Sequence, residues 1–406
     1  MKRRLLPILM TLVLVCALPI WAAFVTSGDV TNPLVCTAGA AEPSVPVEVS
    51  TATDLQKKID AGKSVKLMAD ISITSTLKIS SSLTLDLNGH VLKMTGSGSV
   101  LRVSGRATLT ITDSRPQNPH TGSYAGLPAG GVITGGKADK GGGILLDGGC
   151  TLKLTGGCIT DCHATDTGGG GVVLNGDTAI LYMSGTARIE NCTAGETWGA
   201  NAIFNSGTMY ADGGTVDGTV NNQGTIKHSN GVTDVTVFNE AVYNRARKSI
   251  EAGIYKGTVE NNGTITGGTF CGGVTDDGGT IEDGAYETVK FNSDNGAQAK
   301  EEKVLRGQKV PNPAAPTKSG HTFIDWYLGV APYDFDTPVT APLTLTAKWE
   351  KVPSSGGYYY YHPTTDTKTT DTKGSPKTFD AGIALYVGMA LTSAAGVAFV
   401  GKKRED

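Results

Sequence analysis

From Val65 onward apolar and polar residues alternate, as in Leu83-Thr84-Leu85-Asp86-Leu87, and each short run ends at Gly or Asn-Gly. Period-two alternation broken by such punctuation predicts short strands joined by tight turns. The runs then recur. Gly142-Gly143-Ile144-Leu145-Leu146-Asp147 is echoed by Gly170-Gly171-Val172-Val173-Leu174-Asn175, Leu152-Lys153-Leu154 by Leu181-Tyr182-Met183, and Ile159-Thr160-Asp161-Cys162 by Ile189-Glu190-Asn191-Cys192. The offsets are 28 for Ile144/Val172, 29 for Gly156/Gly185 and 30 for Cys162/Cys192. A second unit repeats further on: GGTVDGTVNNQGTI from Gly213, AGIYKGTVENNGTI from Ala252 and GGTFCGGVTDDGGTI from Gly267. Three strands per coil, stacked coil upon coil, account for both series. Over 66–284, roughly 25 residues per coil give about nine coils and a rod of roughly 40 Å. Stacked coils need sealed ends. Upstream, Leu55 and Ile59 form one i,i+4 apolar stripe that Thr53 or Asp54 can cap, which predicts a short end-sealing helix.

By this periodicity the body, 48–285 with its helical preamble, resembles the right-handed parallel β-helix of the pectin-lyase-like superfamily. The fold class implied is mainly β. A different pattern follows. Val289-Lys290-Phe291-Asn292 opens it and Leu343-Thr344-Leu345-Thr346-Ala347-Lys348-Trp349 closes it. Between them come Gly307-Gln308-Lys309-Val310, Gly320-His321-Thr322-Phe323, Asp325-Trp326-Tyr327 and Tyr333-Asp334-Phe335-Asp336. This ordered series over 287–351 is similar to the Listeria–Bacteroides repeat, the small β-grasp-like B-repeat of internalin-type proteins. His321 and Ile324-Asp325 depart from the usual pattern. Trp326, Tyr327, Phe335 and Trp349 would be core or groove aromatics, and we read them as core.

Both termini carry targeting patterns. Lys2, Arg3 and Arg4 precede an uncharged stretch from Leu5 to Val25, so 1–40 reads as a signal peptide. Cleavage fits after Ala38-Gly39-Ala40 or nearer Ala22 and Ala23. Residues 352–374, with Tyr358 to Tyr361 and then Thr/Asp/Lys repeats, read as a linker with too little apolar area to pack. Residues 381–400 are twenty in number, uncharged, and followed by Lys402, Lys403 and Arg404, the pattern of one bilayer crossing. With Ser375-Pro376-Lys377-Thr378-Phe379 before it, the segment 375–406 resembles the LPxTG-type sorting signal of Gram-positive surface proteins. The resemblance implies that Pro376 kinks the recognition element and that sortase attacks the Thr378 carbonyl, then passes the chain to a peptidoglycan amine. Ser375 stands where Leu is usual and Phe379 where Gly is usual. A plain single-pass membrane anchor is the alternative.

Composition refines this picture. The chain has 55 glycines in 406 residues, about twice the usual ~7%, which suits a body that turns a corner three times per coil. The net charge is −3; residues 1–40 carry +2 and 379–406 carry none, so the mature chain stands near −5. Nucleic acid is thereby excluded as an expected partner. Cys150, Cys158, Cys162, Cys192 and Cys271 show no CxxC or Cys/His zinc spacing, and Asp276-Asp277 lacks a calcium-repeat spacing. No cofactor motif is read, since no Lys-Ser/Thr follows the glycine runs at 141–143 and 168–171. Cys162 and Cys192 are either a stacked thiol ladder or a disulfide. Asn221-Asn222 and Asn261-Asn262-Gly263 read as corners and asparagine stacks.

A polysaccharide lyase or hydrolase on such a body would need converging acids. Asp147, Asp161, Asp166, Asp177 and Glu190 are the candidates, with His163 beside them. No second acid stacks on Asp161, because Asn191 occupies that place one coil later. The expected function is therefore that of an exported, wall-anchored surface protein for adhesion or ligand presentation, with host glycan or matrix as ligand. A wall-bound polysaccharide enzyme and a non-binding spacer are the rivals.

Overall fold

A computed structural model describes residues 45–166, 168–195 and 199–353. The signal peptide, the tyrosine linker, Ser375 to Phe379 and the apolar stretch 381–400 lie outside the described residues. Among those described, no helix is long and apolar enough to cross a membrane.

The protein is mainly β: large parallel sheets stacked as a solenoid, then a small mixed sheet. Each coil contributes three strands. In one coil these are Ile144–Asp147 on the first face, Thr151–Leu154 on the second and Cys158–Thr160 on the third. First-face strands form a nine-stranded parallel sheet; second- and third-face strands share an eighteen-stranded one. The sequence echoes coincide with the pairing: Ile144 lies opposite Val172, Leu152 opposite Leu181 and Ile159 opposite Ile189. Alternation then points Leu, Ile and Val inward on all three faces, where one continuous core runs from Val49 to Ala285.

The coils are far from uniform. Forty-three residues separate Leu101 from Ile144 and 28 separate Ile144 from Val172, yet only 15 separate Val259 from Val274. Long coils carry a loop over 113–131 and a three-stranded flange of Lys137–Ala138, His163–Ala164 and Thr193–Ala194. An average of 25 residues per coil conceals this taper. Two expected strands also merge, since Ile180–Glu190 is one strand that bends at Gly185, whose φ is +60°, through a register irregularity against its neighbour.

In the short coils, larger side chains fill the core. Phe238, Tyr255 and Phe270 stack on one another at 4.9 and 5.1 Å, nearly parallel and buried. Gly253 admits them, because a Cβ there would stand 2.7 Å from the Tyr255 ring. Burial pushes the Tyr255 phenol well above its usual range, and its hydroxyl donates to the Ala252 carbonyl. On the first face, the Asn205, Asn222, Asn244 and Asn261 side chains form a buried ladder in which each Nδ2 donates to the next Oδ1 at 2.8 Å. Asn261 passes the last bond to Asp276 at 3.0 Å.

Both ends of the solenoid are sealed. The helix Ala52–Asp60 buries Leu55 and Ile59 against the first coils. Its cap is Thr51, not Thr53 or Asp54: the Thr51 hydroxyl accepts the Asp54 N–H at 3.2 Å, and Asp54 sits in the first turn beside the helix dipole. At the other end, Tyr286 and Leu305 of the small sheet pack on the solenoid core.

That sheet has five strands, with Tyr286–Asn292 parallel to Leu343–Lys351 and the remaining pairs antiparallel. Its core holds Val289, Phe291, Trp326, Tyr333, Val339 and Leu345, with Phe335 and Trp349 packed against it. Tyr327 departs from the expected core assignment. A bulge between Phe323 and Asp325 shifts the register, so Phe323 and Trp326 share the core face. Tyr327 is thereby turned to the other face, where the Lys348 ammonium lies 6.0 Å from its ring.

Candidate functional site: a cationic groove on the first face

On the outer side of the nine-stranded sheet, register aligns one side chain per coil: Lys78, Arg102, Leu145, Val173, Phe204, Asn221 and Tyr243. Lys78, Arg102 and Leu145 form the floor of a groove of about 650 Å³. Its wall is the segment Lys137 to Lys140, which begins the flange. The wall is held by main-chain bonds between Gly98 and Lys137 in both directions (2.6 and 3.0 Å) and by the Ser99 hydroxyl, which donates to the Lys140 carbonyl at 3.3 Å. Gly98 has φ +112°, and a Cβ on it would meet the Thr76 hydroxyl at 2.6 Å, so only glycine lets the two segments close up.

Four cations (Lys78, Arg102, Lys137, Lys140) and two acids (Asp139, Asp166) line this groove, on a chain whose overall charge is negative. Arg102 is anchored by Asp147 at 3.0 Å. Among the described residues no ion pair engages Lys78, Lys137 or Lys140, and all three are exposed. The Asp139 carboxylate accepts from the Thr165 hydroxyl at 3.2 Å, and Asp166 is held to the wall through its main-chain N–H, which donates to the Asp139 carbonyl at 3.1 Å. A concave surface with free ammonium groups at its mouth concentrates anions, and one contact per coil at ~4.8 Å suits an extended polymer.

The acids singled out from sequence occupy different places. Asp161 and Asn191 are equivalent corner residues, with φ of +51° and +53°, a left-handed conformation that Asp and Asn tolerate. His163 stacks over Thr193, its Nδ1 2.8 Å from the hydroxyl. Glu190 is on the third face, 3.8 Å from Arg188. Asp177 lies exposed in a turn. Of the five acids Asp166 alone lines the groove, with Asp147 reaching it through Arg102. Among the described residues no cluster of His, Cys, Asp and Glu could hold a metal ion. Asp139 and the four cations escaped sequence reasoning; the charged cluster Lys137-Ala138-Asp139-Lys140 inside a glycine run was the available signal.

Beyond the solenoid, the Listeria–Bacteroides repeat family matches residues 288–348. The chain carries one such repeat. A repeat of this kind suggests a bacterial surface protein. Two proteins of Evansella cellulosilytica, provisionally named a membrane protein and a Gly-rich membrane protein, are each 39% identical to the chain over 67 residues. Those residues are 16% of this chain, and the chain spans 10% and 8% of the length of these relatives. No solved structure matches the chain.

Proposed function

We propose that the chain is an exported, wall-anchored surface protein whose solenoid, a right-handed β-helix, presents its cationic groove to an anionic glycan outside the cell. The observation that carries the binding part is the set of Lys78, Lys137 and Lys140, which no ion pair engages among the described residues, and Arg102 around one concavity. Carboxylate or sulfate groups on an extended saccharide would meet these cations, while the partly exposed Leu145 and Phe204 offer apolar contact along the same line. Of the five candidate acids only Asp166 lines the groove, Asp147 there is engaged by Arg102, and Asp161, Asp177 and Glu190 lie elsewhere on the coil, which supports binding rather than bond cleavage. An array of glycans probed with the exported chain should give signals on sulfated or uronate-bearing members that fade with added salt. Signals on neutral glycans alone, or on none, would contradict this reading, and the latter would favour a spacer.

Attachment rests on Ser375-Pro376-Lys377-Thr378-Phe379, the apolar stretch and the basic tail. The repeat and the membrane-protein relatives support a surface location. With sortase acting at Thr378, the Thr378→Ala chain should move from the peptidoglycan fraction to the membrane and medium. Unchanged covalent attachment to peptidoglycan would rule out cleavage at this residue.

A further inference from the structure

The corners that carry the flange bring two cysteines together. Cys162 and Cys192 each follow a left-handed corner residue, and the Thr193 N–H donates to the Cys162 carbonyl at 2.9 Å, so the pair stands in register one coil apart. Both thiols are buried in the solenoid core, 1% and 5% exposed. Neighbouring coils stand ~4.8 Å apart, inside the Cα separation of 4.4–6.8 Å that a disulfide spans. The residues are at corners, outside the strand ladders; in the structure both are free thiols, Cys162 Sγ–H donating to the Thr160 carbonyl at 3.4 Å and Cys192 Sγ–H to the Ile159 carbonyl of the preceding coil at 3.8 Å, two weak bonds that closing a bridge would give up. Gly170-Gly171 lies against this corner; a Cβ on Gly171 would sit 3.4 Å from the Cys192 sulfur. The same Cβ would stand 2.7 Å from the Ala202 carbonyl and from Ile189 Cγ2, so the glycine is set by close backbone and core packing beside this corner.

We propose that Cys162 and Cys192 become joined by a disulfide after export, a covalent staple between consecutive coils directly beneath the flange. The oxidant is an extracytoplasmic thiol oxidoreductase carrying its own disulfide. One Cys162–Cys192 S–S bond forms and the oxidant's S–S bond breaks. The two protein thiols give up two protons and two electrons, and the oxidant leaves as a dithiol. Closure belongs to folding, before the third face covers the sulfurs, because a buried thiol is a poor nucleophile. In the reduced chain burial and the Cys192 thiol itself push the Cys162 thiol well above its usual range, the Cys192 contact being the larger cause. Cys158 is the competing partner, but it faces the outer side of the third face, packed with Val91 and Val132.

The test uses the exported full chain, denatured without reductant, alkylated and digested with trypsin. Cleavage after Lys153, Arg188 and Lys227 places Cys158 and Cys162 on one peptide and Cys192 on the next. The two peptides should appear linked, and should remain linked in the Cys158→Ala chain. Full alkylation of all thiols, or loss of the link in Cys158→Ala, would overturn the proposal. A second measurement needs no variant: protein refolded with dithiothreitol should melt several degrees below the oxidised form, since the staple closes a loop of about thirty residues. Equal melting temperatures would also overturn it.

Discussion

Replacing Asn244 with Ala should destabilise the solenoid by about 2–4 kcal/mol in a denaturant titration. Asn244 is completely buried and sits in the middle of the ladder. Its Nδ2 donates to Asn261 Oδ1 at 2.8 Å and to the Thr264 carbonyl at 3.3 Å, while its Oδ1 accepts from Asn222. Truncation leaves an Asn222 N–H without its acceptor, leaves the Thr264 carbonyl without this amide donor, and opens a cavity. The ladder runs through the short coils, where only 17 residues separate Val242 from Val259, and it is the buried polar seam beside the aromatic stack. Asn262 is the internal control. It lies nearer the surface and bonds Asp277 through its own side chain, so Asn262→Ala should cost less than about 1 kcal/mol. Equal effects at the two sites would mean that the ladder contributes nothing special.

Arg306→Ala should cost a further and separate amount, about 2–4 kcal/mol, read as a lowered thermal-unfolding midpoint. Arg306 joins the repeat to the last coil. Through its side chain, Nε donates to Glu287 Oε1 at 2.6 Å within the repeat and Nη2 donates to the Gly284 carbonyl at 3.3 Å; through its main chain, which Ala preserves, its N–H donates to the Ala285 carbonyl and its carbonyl accepts the Phe270 N–H at 2.7 Å. The Gln308 amide also donates to the Phe270 carbonyl. Glu287 is only 7% exposed, so removing the guanidinium strands a buried carboxylate, although Arg306 itself is about one-third exposed and the loss is correspondingly below that of a fully buried pair. Phe270 ends the aromatic stack, and Tyr286 and Leu305 cover the core beside it. The repeat therefore acts as the solenoid's end cap as well as a domain with its own core. An unshifted calorimetric transition in Arg306→Ala would show that the cap does not depend on this residue.

Much of this architecture can be read from local patterns because a stacked coil repeats its environment. Ile144/Val172 and Cys162/Cys192 echo one another in sequence since the same corner and the same inward position recur, and the structure pairs their coils in that register. Asn222 and Asn261 are legible for the same reason: an asparagine can satisfy its neighbour only if the next coil supplies another, whereas Asn221 alternates to the outer face and stands between Phe204 and Tyr243. The taper was not legible, because turn length between strands is set by what packs on the outside, such as Tyr124 and Leu127 of the 113–131 loop over Val91 and Val132. Tyr327 faces away from the core because a one-residue bulge, which alternation alone does not reveal, reverses every later side chain on its strand. The groove was hidden for a different reason. Lys78, Arg102 and Lys137 are far apart in the chain and meet only when consecutive coils and the flange are assembled, and single lysines on strand exteriors are the ordinary solvated pattern.

Ligand binding at this groove is read by a titration. A sulfated or uronate-bearing oligosaccharide identified on the array is titrated into the exported chain and into Lys78→Gln/Lys137→Gln/Lys140→Gln. All three side chains are exposed, so folding should be preserved, as the far-UV spectrum and melting temperature will check. We expect affinity to fall at least about tenfold in the triple variant, and the salt dependence of binding to flatten with it. Undiminished affinity with an unchanged salt dependence would contradict the assignment of this groove.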